Sequence, residues 1–453
     1  MATIQIRKGK DIKLKGAAEK KIIELAVPSL VAITPADFRG IKPKVLVKPD
    51  EVIKVGSPIL EDKTHPDIKI VSPVSGKVVA VNRGEKRVLL DIVIQPDGRQ
   101  EAIACRSFNP EELKTASREN IIKHILEGGV WPCLRQRPFS KMAHPEDTPK
   151  AIFIQAMNTE PLAVDVDFIL NILNNREAEF QAGLDILKKL TSGAVHLCCS
   201  DKAGAKALTQ AKNVEIHRFA GPHPAGNVST HIHHIDPIKR GEVVWYVQIE
   251  DVLRVAQLFL QGRYSPERFV AVTGEGAPKK VYVKTVIGAQ ISHLLQGSIP
   301  ARMRCISGSV LTGATVSPNG FLGYYDSQIT VIPEGGNRKF LGWLDLGFHA
   351  YSFSKTYLSS LQPADREVSL DTDKHGSNRA IVYNHLYDDY VPLDIMTFFL
   401  LRAVMGGDIE EAEKLGILEC DEEDFALCSF ACPSKTDVGG IIRRGLDLIE
   451  KEG

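Results

Sequence analysis

The chain has 453 residues, of which 43% are hydrophobic and 25% charged, a composition typical of a folded protein with several domains. Its 56 Lys and Arg residues balance 56 Asp and Glu residues, so its charge gives no case for nucleic acid as a partner. The richest apolar stretch, residues 395–401, is too short for a membrane span, which needs roughly twenty residues, and no signal peptide is apparent. Eight scattered cysteines favour reduced thiols over a disulfide framework.

Short strands separated by turns are predicted between residues 41 and 96. Apolar runs alternate there with turns containing Gly and Pro, which is typical of a compact β-barrel or sandwich. Two short sequence motifs, at residues 55–58 and 71–78, resemble those of lipoyl and biotinyl carrier domains. Lys63 is the natural candidate for a modified carrier lysine. The loop from Lys63 to Pro73 is longer than a carrier hairpin uses, however, so we expect an unmodified relative of those domains.

The pattern changes between residues 150 and 260. Strand-like runs alternate there with helical stretches, which favours a mainly parallel sheet with helices on its faces, a Rossmann-like α/β domain. Glycines stand where two of the helices are expected to end. The predicted strands are residues 151–157, 194–199, 214–219 and 243–249, and the predicted helices are residues 165–173, 177–190, 203–211 and 252–260.

The last third of the chain divides into a small mixed unit and a helical tail. Two strands, a short helix and a returning strand are predicted over residues 268–312, as in a β-grasp module. Residues 351–378 are rich in Ser, Thr, Asp and Lys and are predicted to be a linker. Helices follow, one over residues 392–405, one opened by a capping box of Asp408 and Glu411, and one over residues 437–450.

The fold class is therefore α/β and multidomain. We predict five segments: a lipoyl/biotinyl-like β domain at 1–100, a degenerate flavin- or NADH-type α/β domain at 101–262, a β-grasp (SLBB-like) domain at 263–335, a linker at 336–378, and a helical domain at 379–453.

Several motifs accompany this order of modules. They are Glu61-Asp-Lys-Thr-His-Pro, Ser72-Pro-Val-Ser-Gly, Gly221-Pro-His-Pro-Ala-Gly with Thr230-His-Ile-His, Val272-Thr-Gly-Glu-Gly, and Leu427-Cys-Ser-Phe-Ala-Cys-Pro-Ser-Lys. Together they resemble the A subunits of Na⁺-translocating NADH:quinone oxidoreductases over essentially the whole chain. The chain is more distantly similar to the C subunit of the Rnf complex and to the flavin subunit of respiratory complex I.

The resemblance implies a component of a complex that passes electrons from NADH to a membrane quinone and exports Na⁺. It implies that FAD, FMN, riboflavin and iron–sulfur centres belong to other subunits and that this chain binds no redox cofactor. The partners implied are the other subunits of that complex, especially the membrane subunit with covalent flavin. The location implied is peripheral, on the cytoplasmic side of the bacterial inner membrane.

The flavin-binding relatives carry a glycine-rich phosphate loop ahead of the α/β sheet, and glycines there let the backbone approach the phosphates. The corresponding stretch, residues 128–139, keeps only two glycines. Either the crevice is filled by side chains, or it binds another apolar or aromatic ligand such as quinone. The candidate residues for such a quinone pocket are Trp131, Arg135, Phe139, Asn158 and Glu160.

The cysteines of the tail do not complete an iron–sulfur motif. Cys428 and Cys432 match the last two positions of a bacterial ferredoxin run, but Glu422 and Phe425 occupy the first two. Cys420 is out of register. We therefore expect leftover cysteines packed between helices and no cluster.

Histidines 217, 223, 231, 233 and 234 are close in sequence. In a strand His231 and His233 would share a face, but no third ligand at a fixed spacing is evident, so we predict a loop entering a strand and no metal site. Glu422 and Glu423 lie in an acidic helix start, which is ordinary helix-dipole placement. We find no catalytic motif and predict no catalytic residue.

Three hypotheses of function remain open. In the first, the chain is a docking and conformational element without a cofactor. In the second, it binds quinone directly and shapes the quinone reduction site. In the third, it is a flavin-dependent dehydrogenase subunit, which a flavin absorbance band of the purified protein would reveal.

Overall fold

The computed structural model describes residues 2–173, 176–336, 340–363, 365–382 and 385–452. Parts of the predicted linker and of the predicted helical domain, residues 337–339, 364, 383–384 and 453, lie outside these ranges. Among the helices so described, none combines the length and the apolar character needed to cross a bilayer.

The N-terminal segment does not join the β-barrel that we expected it to open. Its first strand, β1 (Thr3–Gln5), belongs to the sheet of the α/β domain, and its second, β2 (Glu19–Glu24), belongs to the sheet of the β-grasp module. Both strands pair in parallel with strands far along the chain. Such pairing leaves no local turn signal, which is why the sequence pattern did not predict it.

The barrel begins after residue 30 and consists of short antiparallel strands in two sheets, of order β3-β9-β8-β5 and β4-β6-β7. Its interior is formed by inward-facing aliphatic side chains such as Ile59, Val78 and Ile92, all fully buried. Lys63 follows the strand β6 and is exposed in the loop toward β7. The strands are β3 (Val31–Ile33), β4 (Pro43–Val45), β5 (Val52–Ile53), β6 (Pro58–Asp62), β7 (Lys69–Val71), β8 (Gly76–Arg83) and β9 (Leu89–Pro96).

The α/β domain contains the predicted alternation of strands and helices. Its sheet has the order β1-β14-β13-β12-β15-β10-β11, with parallel pairing from β1 to β15 and an antiparallel edge at β10 and β11. The elements are α1 (Pro110–Thr115), α2 (Arg118–Glu127), β10 (Arg135–Arg137), β11 (Lys141–Met142), β12 (Ile152–Ala156), α3 (Val166–Ile172), α4 (Glu177–Lys188), β13 (Val195–Ser200), α5 (Lys206–Thr209), β14 (Glu215–Ala220), α6 (Val228–Ile235), β15 (Val244–Gln248) and α7 (Ile249–Gln261).

The predicted strand entry at His231 and His233 is wrong, because both residues lie in helix α6. Val228 and Ile232, four residues apart, form the buried side of that helix, and the alternation of His and Ile imitated a strand. Two residues apart on a helix, the two rings point in different directions. His231 is buried with its Nε2 3.0 Å from the Ala225 carbonyl oxygen, whereas His233 Nδ1 lies 2.6 Å from Glu419.

The β-grasp module has the predicted strands and helix and two further strands. Its sheet, of order β19-β18-β20-β16-β17-β2, is closed at one edge by the N-terminal strand β2. A small core of Val272, Leu294 and Ile329 lies between the sheet and the helix. The elements are β16 (Glu267–Thr273), β17 (Val281–Val286), α8 (Ile291–Leu295), β18 (Met303–Ser307), β19 (Ala314–Val316) and β20 (Gln328–Pro333).

The helical domain has its own core, in which Phe425, Cys428 and Ile442 are fully buried. Asp408 caps the second helix, since its side chain accepts a hydrogen bond from the Glu411 amide at 3.0 Å, which is one of the two bonds of the predicted capping box. A 3-10 helix (Glu422–Phe425) precedes the third. The helices are α9 (Thr397–Gly406), α10 (Ile409–Lys414), α11 (Ala426–Ala431) and α12 (Val438–Glu452).

Candidate functional site

The stretch at residues 128–139, which we expected to correspond to a phosphate loop, is packed into the core. Trp131 is fully buried, its ring lies edge-on to Trp245 at 5.6 Å, and its Nε1–H donates to the Ala143 carbonyl oxygen at 2.7 Å. Gly129 has a positive φ of 68° and lies directly against Val71 of the barrel. Side chains of the α/β domain and of the barrel therefore pack closely around this stretch.

Arg137 joins the α/β domain to the helical domain through a buried ion-pair network. Its guanidinium is about 1% exposed and reaches Asp421 at 3.0 Å and Glu423 at 2.8 Å. Arg443 contacts Asp421 as well, and Arg39 lies 3.8 Å from it. Burial alone would raise the pKa of Asp421, but the three arginines lower it to about 2. The acidic helix start is therefore an anchor between domains and not simple helix-dipole placement.

A cavity of about 630 Å³ opens beside this network, where all four folded units meet. Its wall includes Arg39 from the segment after β3, Arg135 from β10, Tyr325 and Asp326 from the β-grasp module, and Glu422 from the helical domain. Polar and charged side chains of both signs dominate this wall. A cavity of this size and polarity suits a small polar molecule or the polar head of a larger one.

Arg135 forms the centre of the cavity wall. Its guanidinium lies between two aromatic rings, 4.5 Å from the centroid of Tyr246 and 4.6 Å from that of Tyr325. Tyr325 is fixed in turn, because its hydroxyl donates to the Pro132 carbonyl oxygen at 2.7 Å. Cation–π contact on both faces holds the charged group toward the cavity, where an anionic or carbonyl oxygen could bind.

Burial raises the pKa of two aspartates of the cavity wall. Asp37 accepts a hydrogen bond from the Tyr324 amide at 2.8 Å, but burial outweighs it and raises the pKa of Asp37 to about 7. Burial also raises the pKa of Asp326, whose carboxylate accepts a 2.6 Å hydrogen bond from Ser307. A carboxyl with a pKa near neutrality can give up or take a proton at physiological pH.

The structure does not gather the five predicted quinone-pocket residues around one cavity. Arg135 alone lines the large one. Trp131 is in the core, Phe139 packs against the core of the helical domain, and Asn158 lines a small separate cleft. Glu160 accepts a hydrogen bond from the Thr312 hydroxyl at 2.6 Å, and Thr312 in turn lines the large cavity.

A second, more apolar cavity of about 250 Å³ adjoins the first, and Leu311 and Gly313 line both. Ile12, Ile306 and Phe430 are among its other lining residues. No pattern in the sequence indicated this cavity, because its wall combines the N-terminal segment, the β-grasp module and the helical tail.

The tail cysteines are individually buried. Cys420, Cys428 and Cys432 are free thiols in the core of the helical domain. The Cys432 sulfur is 3.0 Å from the Tyr387 hydroxyl, and the Cys428 thiol donates weakly to the Tyr387 carbonyl oxygen at 3.7 Å. Their contacts are those of packing residues.

Family models match three parts of the chain, in the order in which the domains occur. They are described as the NqrA N-terminal barrel-sandwich hybrid domain over residues 4–97, the NqrA second alpha/beta domain over residues 116–264, and the NQRA C-terminal domain over residues 269–317. The fold thus defines a class of protein that joins a barrel-sandwich hybrid, an α/β domain and an SLBB-type β-grasp domain in one chain.

Full-length relatives identify the family within this class. Proteins named as the A subunit of Na(+)-translocating NADH-quinone reductase are 39% identical in Yersinia pseudotuberculosis serotype I, 39% in Neisseria meningitidis serogroup A and 40% in Hahella chejuensis, over 99% of this chain and 100% of theirs. The chain belongs to this family, whose members are parts of an oxidoreductase complex. An NAD⁺-reducing [NiFe]-hydrogenase structure covers 52% of each chain with 13% identity and a TM-score of 0.33, too weak a likeness to argue from.

Proposed function

We propose that this chain is a peripheral, cytoplasm-facing component of a Na⁺-translocating NADH:quinone reductase that holds its partners in place and binds no redox cofactor. The packing of Trp131 supports the proposal most directly, because an indole ring and its hydrogen bond to Ala143 lie in the stretch expected to correspond to a phosphate loop. The relatives' names place them in a complex of this kind. Its FAD, FMN, riboflavin and iron–sulfur centres then belong to other subunits, one of them the membrane subunit with covalent flavin.

An exposed apolar surface offers a place for such partners. Among the described side chains of residues 340–361, eight large hydrophobic ones are exposed, and the most exposed are Phe340 at 93%, Leu361 at 80% and Leu346 at 71%. A cluster of exposed apolar side chains is typical of a protein–protein contact. We assign residues 340–361 as the docking segment for a membrane partner.

Copurification in mild detergent tests the docking role. Leu361→Asp combined with Phe340→Asp should release the chain from its complex, because a charge on each apolar contact must be desolvated on binding. Leu90→Asp, at a 48% exposed leucine on strand β9 of the barrel, is the matched control and should copurify as the wild type does. Retention of the double variant at wild-type yield would contradict the assignment of the docking segment.

The absence of a cofactor is tested by the absorbance of the purified chain. We expect no flavin band and no stoichiometric iron, because the glycine-poor loop is packed and the tail lacks a full set of thiolate ligands. A coloured protein that holds one flavin per chain would overturn the proposal in favour of a flavin-dependent dehydrogenase subunit.

The paired cavities favour a second candidate function, direct binding of quinone. A quinone has a polar head and an apolar tail, and the polar cavity around Arg135 adjoins the apolar cavity across Leu311. Asp37 supplies a group that can deliver a proton, which quinone reduction requires. The pocket so defined differs from the predicted set of five residues, of which it keeps Arg135.

Titration with a short-chain quinone tests this candidate in the isolated chain and in the complex. Arg135→Gln should weaken binding about 10–100-fold, because it removes the charged donor at the head of the site. Arg83→Gln, at an exposed arginine of the barrel, should leave binding unchanged. Equal affinity of the Arg135→Gln variant and the wild type would rule out the cavity as the quinone site.

A further inference from the structure

We infer that the α/β domain carries a binding site for a first-row divalent metal ion, best suited to Zn²⁺, on the face of its sheet near strand β14. Three potential ligand atoms converge there: His196 Nδ1, Glu215 Oε2 and His217 Nε2. His196 lies on β13, and the other two residues lie on the neighbouring strand β14. The site is separate from the cavity wall around Arg135 and Asp37.

The parallel register of the two strands brings these side chains together. His196 is the direct partner of Glu215, and His217 is the partner of Cys198. Glu215 and His217 are two residues apart in a strand, so their side chains project from the same face of the sheet. The ring of Phe153, 4.7 Å away, supports His196 from the next strand, β12.

The spacing of the three atoms fits a tetrahedral metal. The two imidazole nitrogens are 3.1 Å apart, and the carboxylate oxygen is 3.4 Å from His196 and 3.7 Å from His217. Zinc bonds of about 2.0–2.2 Å set ligand atoms at tetrahedral corners roughly 3.3–3.5 Å apart. Two neutral imidazoles and a carboxylate are also a donor set that suits Zn²⁺ over Mg²⁺ or Ca²⁺.

The site is accessible to an incoming ion. His196 is buried, His217 is half-buried, and the side chain of Glu215 is 63% exposed. An ion can therefore enter from the Glu215 side, and a water can complete its coordination there. Because its ligands come from two strands, the ion would link β13 to β14 and stabilise the pairing between them.

The test is titration of the metal-stripped full chain with ZnCl₂ in competition with a coloured zinc chelator. We expect one Zn²⁺ per chain and a rise in the thermal unfolding midpoint on binding. Glu215→Gln and His217→Ala should each weaken the affinity more than the roughly 10–100-fold that loss of an outer-sphere partner costs. Glu215 is mostly exposed, so its substitution leaves the fold intact for the comparison.

His375→Ala is the matched control, because it removes an exposed histidine outside the site. It should bind one equivalent with wild-type affinity. The inference is overturned if the wild-type chain takes up no zinc, or if Glu215→Gln and His217→Ala bind as the wild type does. In either case His196 and His217 would be a hydrogen-bonded imidazole pair and nothing more.

Discussion

Two regions of this chain, the crevice at residues 131–139 and the cysteine-bearing tail at residues 420–432, are held together in different ways. In the crevice, Trp131 is a fully buried aromatic side chain. In the tail, the cysteines are buried in the core of the helical domain, and acidic side chains lie between Cys420 and Cys428 in the sequence. The two regions also contact each other, through Arg137 and Asp421.

The difference illustrates two physical ways of holding a buried region together, by packing and by charge. An emptied cavity is destabilising, so a large side chain that fills it restores the lost packing. A buried carboxylate needs charged partners, and in the tail arginines supply them for Asp421 and Glu423. If the crevice is held by packing and the tail by charge, substitutions in the two regions should change the free energy of unfolding by different amounts and with different dependence on pH.

The largest effect is expected from Trp131→Ala. It opens a cavity in the core and removes the hydrogen bond to Ala143, which should lower the free energy of unfolding by about 3–5 kcal/mol in chemical denaturation. Trp131→Phe, which keeps most of the buried area, should lose less than half as much. A loss below about 1 kcal/mol for the alanine variant would mean that the crevice is not held by packing.

The next largest effect is expected from Arg137→Ala, which takes the Arg137 guanidinium away from Asp421 and Glu423. Breaking a buried pair on one side costs about 3–5 kcal/mol, and we expect the lower end because Glu423 is partly exposed. Arg39→Ala serves as a control, since Arg39 contacts the same acidic cluster with a side chain 37% exposed and should cost about 1 kcal/mol or less. Equal losses in thermal or chemical unfolding would show that burial does not decide the strength of this network.

Much of the fold could be predicted because strands β12 to β15 and their helices have strong local signals. Apolar runs of the right length, interrupted by polar stretches, mark each element without reference to the rest of the chain. The barrel could likewise be predicted from its turns, which contain Gly and Pro. Helix α6 was missed because its histidines alternate with Ile and resemble a strand at short range.

The sites were harder to predict because they depend on partners distant in sequence. Arg137 and Asp421 are 284 positions apart, and no local pattern indicates that a buried arginine will meet an acidic helix start. His217 was noticed as one of several histidines, but its neighbour His196 comes from another strand and becomes close only through the parallel register. The sequence therefore predicted an altered cofactor loop but not the cavity around Arg135.

A smaller effect, dependent on pH, is expected from Asp37→Asn. The folded-state pKa of Asp37 is about 7, above its ordinary value of 3.8, so its protonated form contributes stability that is fully present below about pH 4. That contribution is lost as the pH rises through 7. The wild type should therefore lose about 1–2 kcal/mol relative to Asp37→Asn between pH 4 and 8, a figure reduced for partial exposure.

Unfolding curves at several pH values in that range would measure this difference, with Asp67→Asn, an exposed carboxyl of the barrel, as the matched control. A difference in the free energy of unfolding between the wild type and Asp37→Asn that stays constant with pH would contradict this prediction. Such a result would also remove Asp37 as the proton donor for a quinone in the large cavity.

The smallest effect is expected from Cys432→Ala. The substitution removes the contact between the sulfur and the Tyr387 hydroxyl at 3.0 Å but little buried volume, so the loss should be about 0.5–1.5 kcal/mol in chemical denaturation. Cys305→Ala, at a buried thiol of the β-grasp module, is the control for removing a thiol from a core. Incubation with iron and sulfide should leave both the wild type and the variant colourless. An iron–sulfur absorbance that appeared in the wild type but not in Cys432→Ala would contradict this prediction. The cysteines would then be metal ligands and not packing residues, and the contrast with the packed crevice would fail.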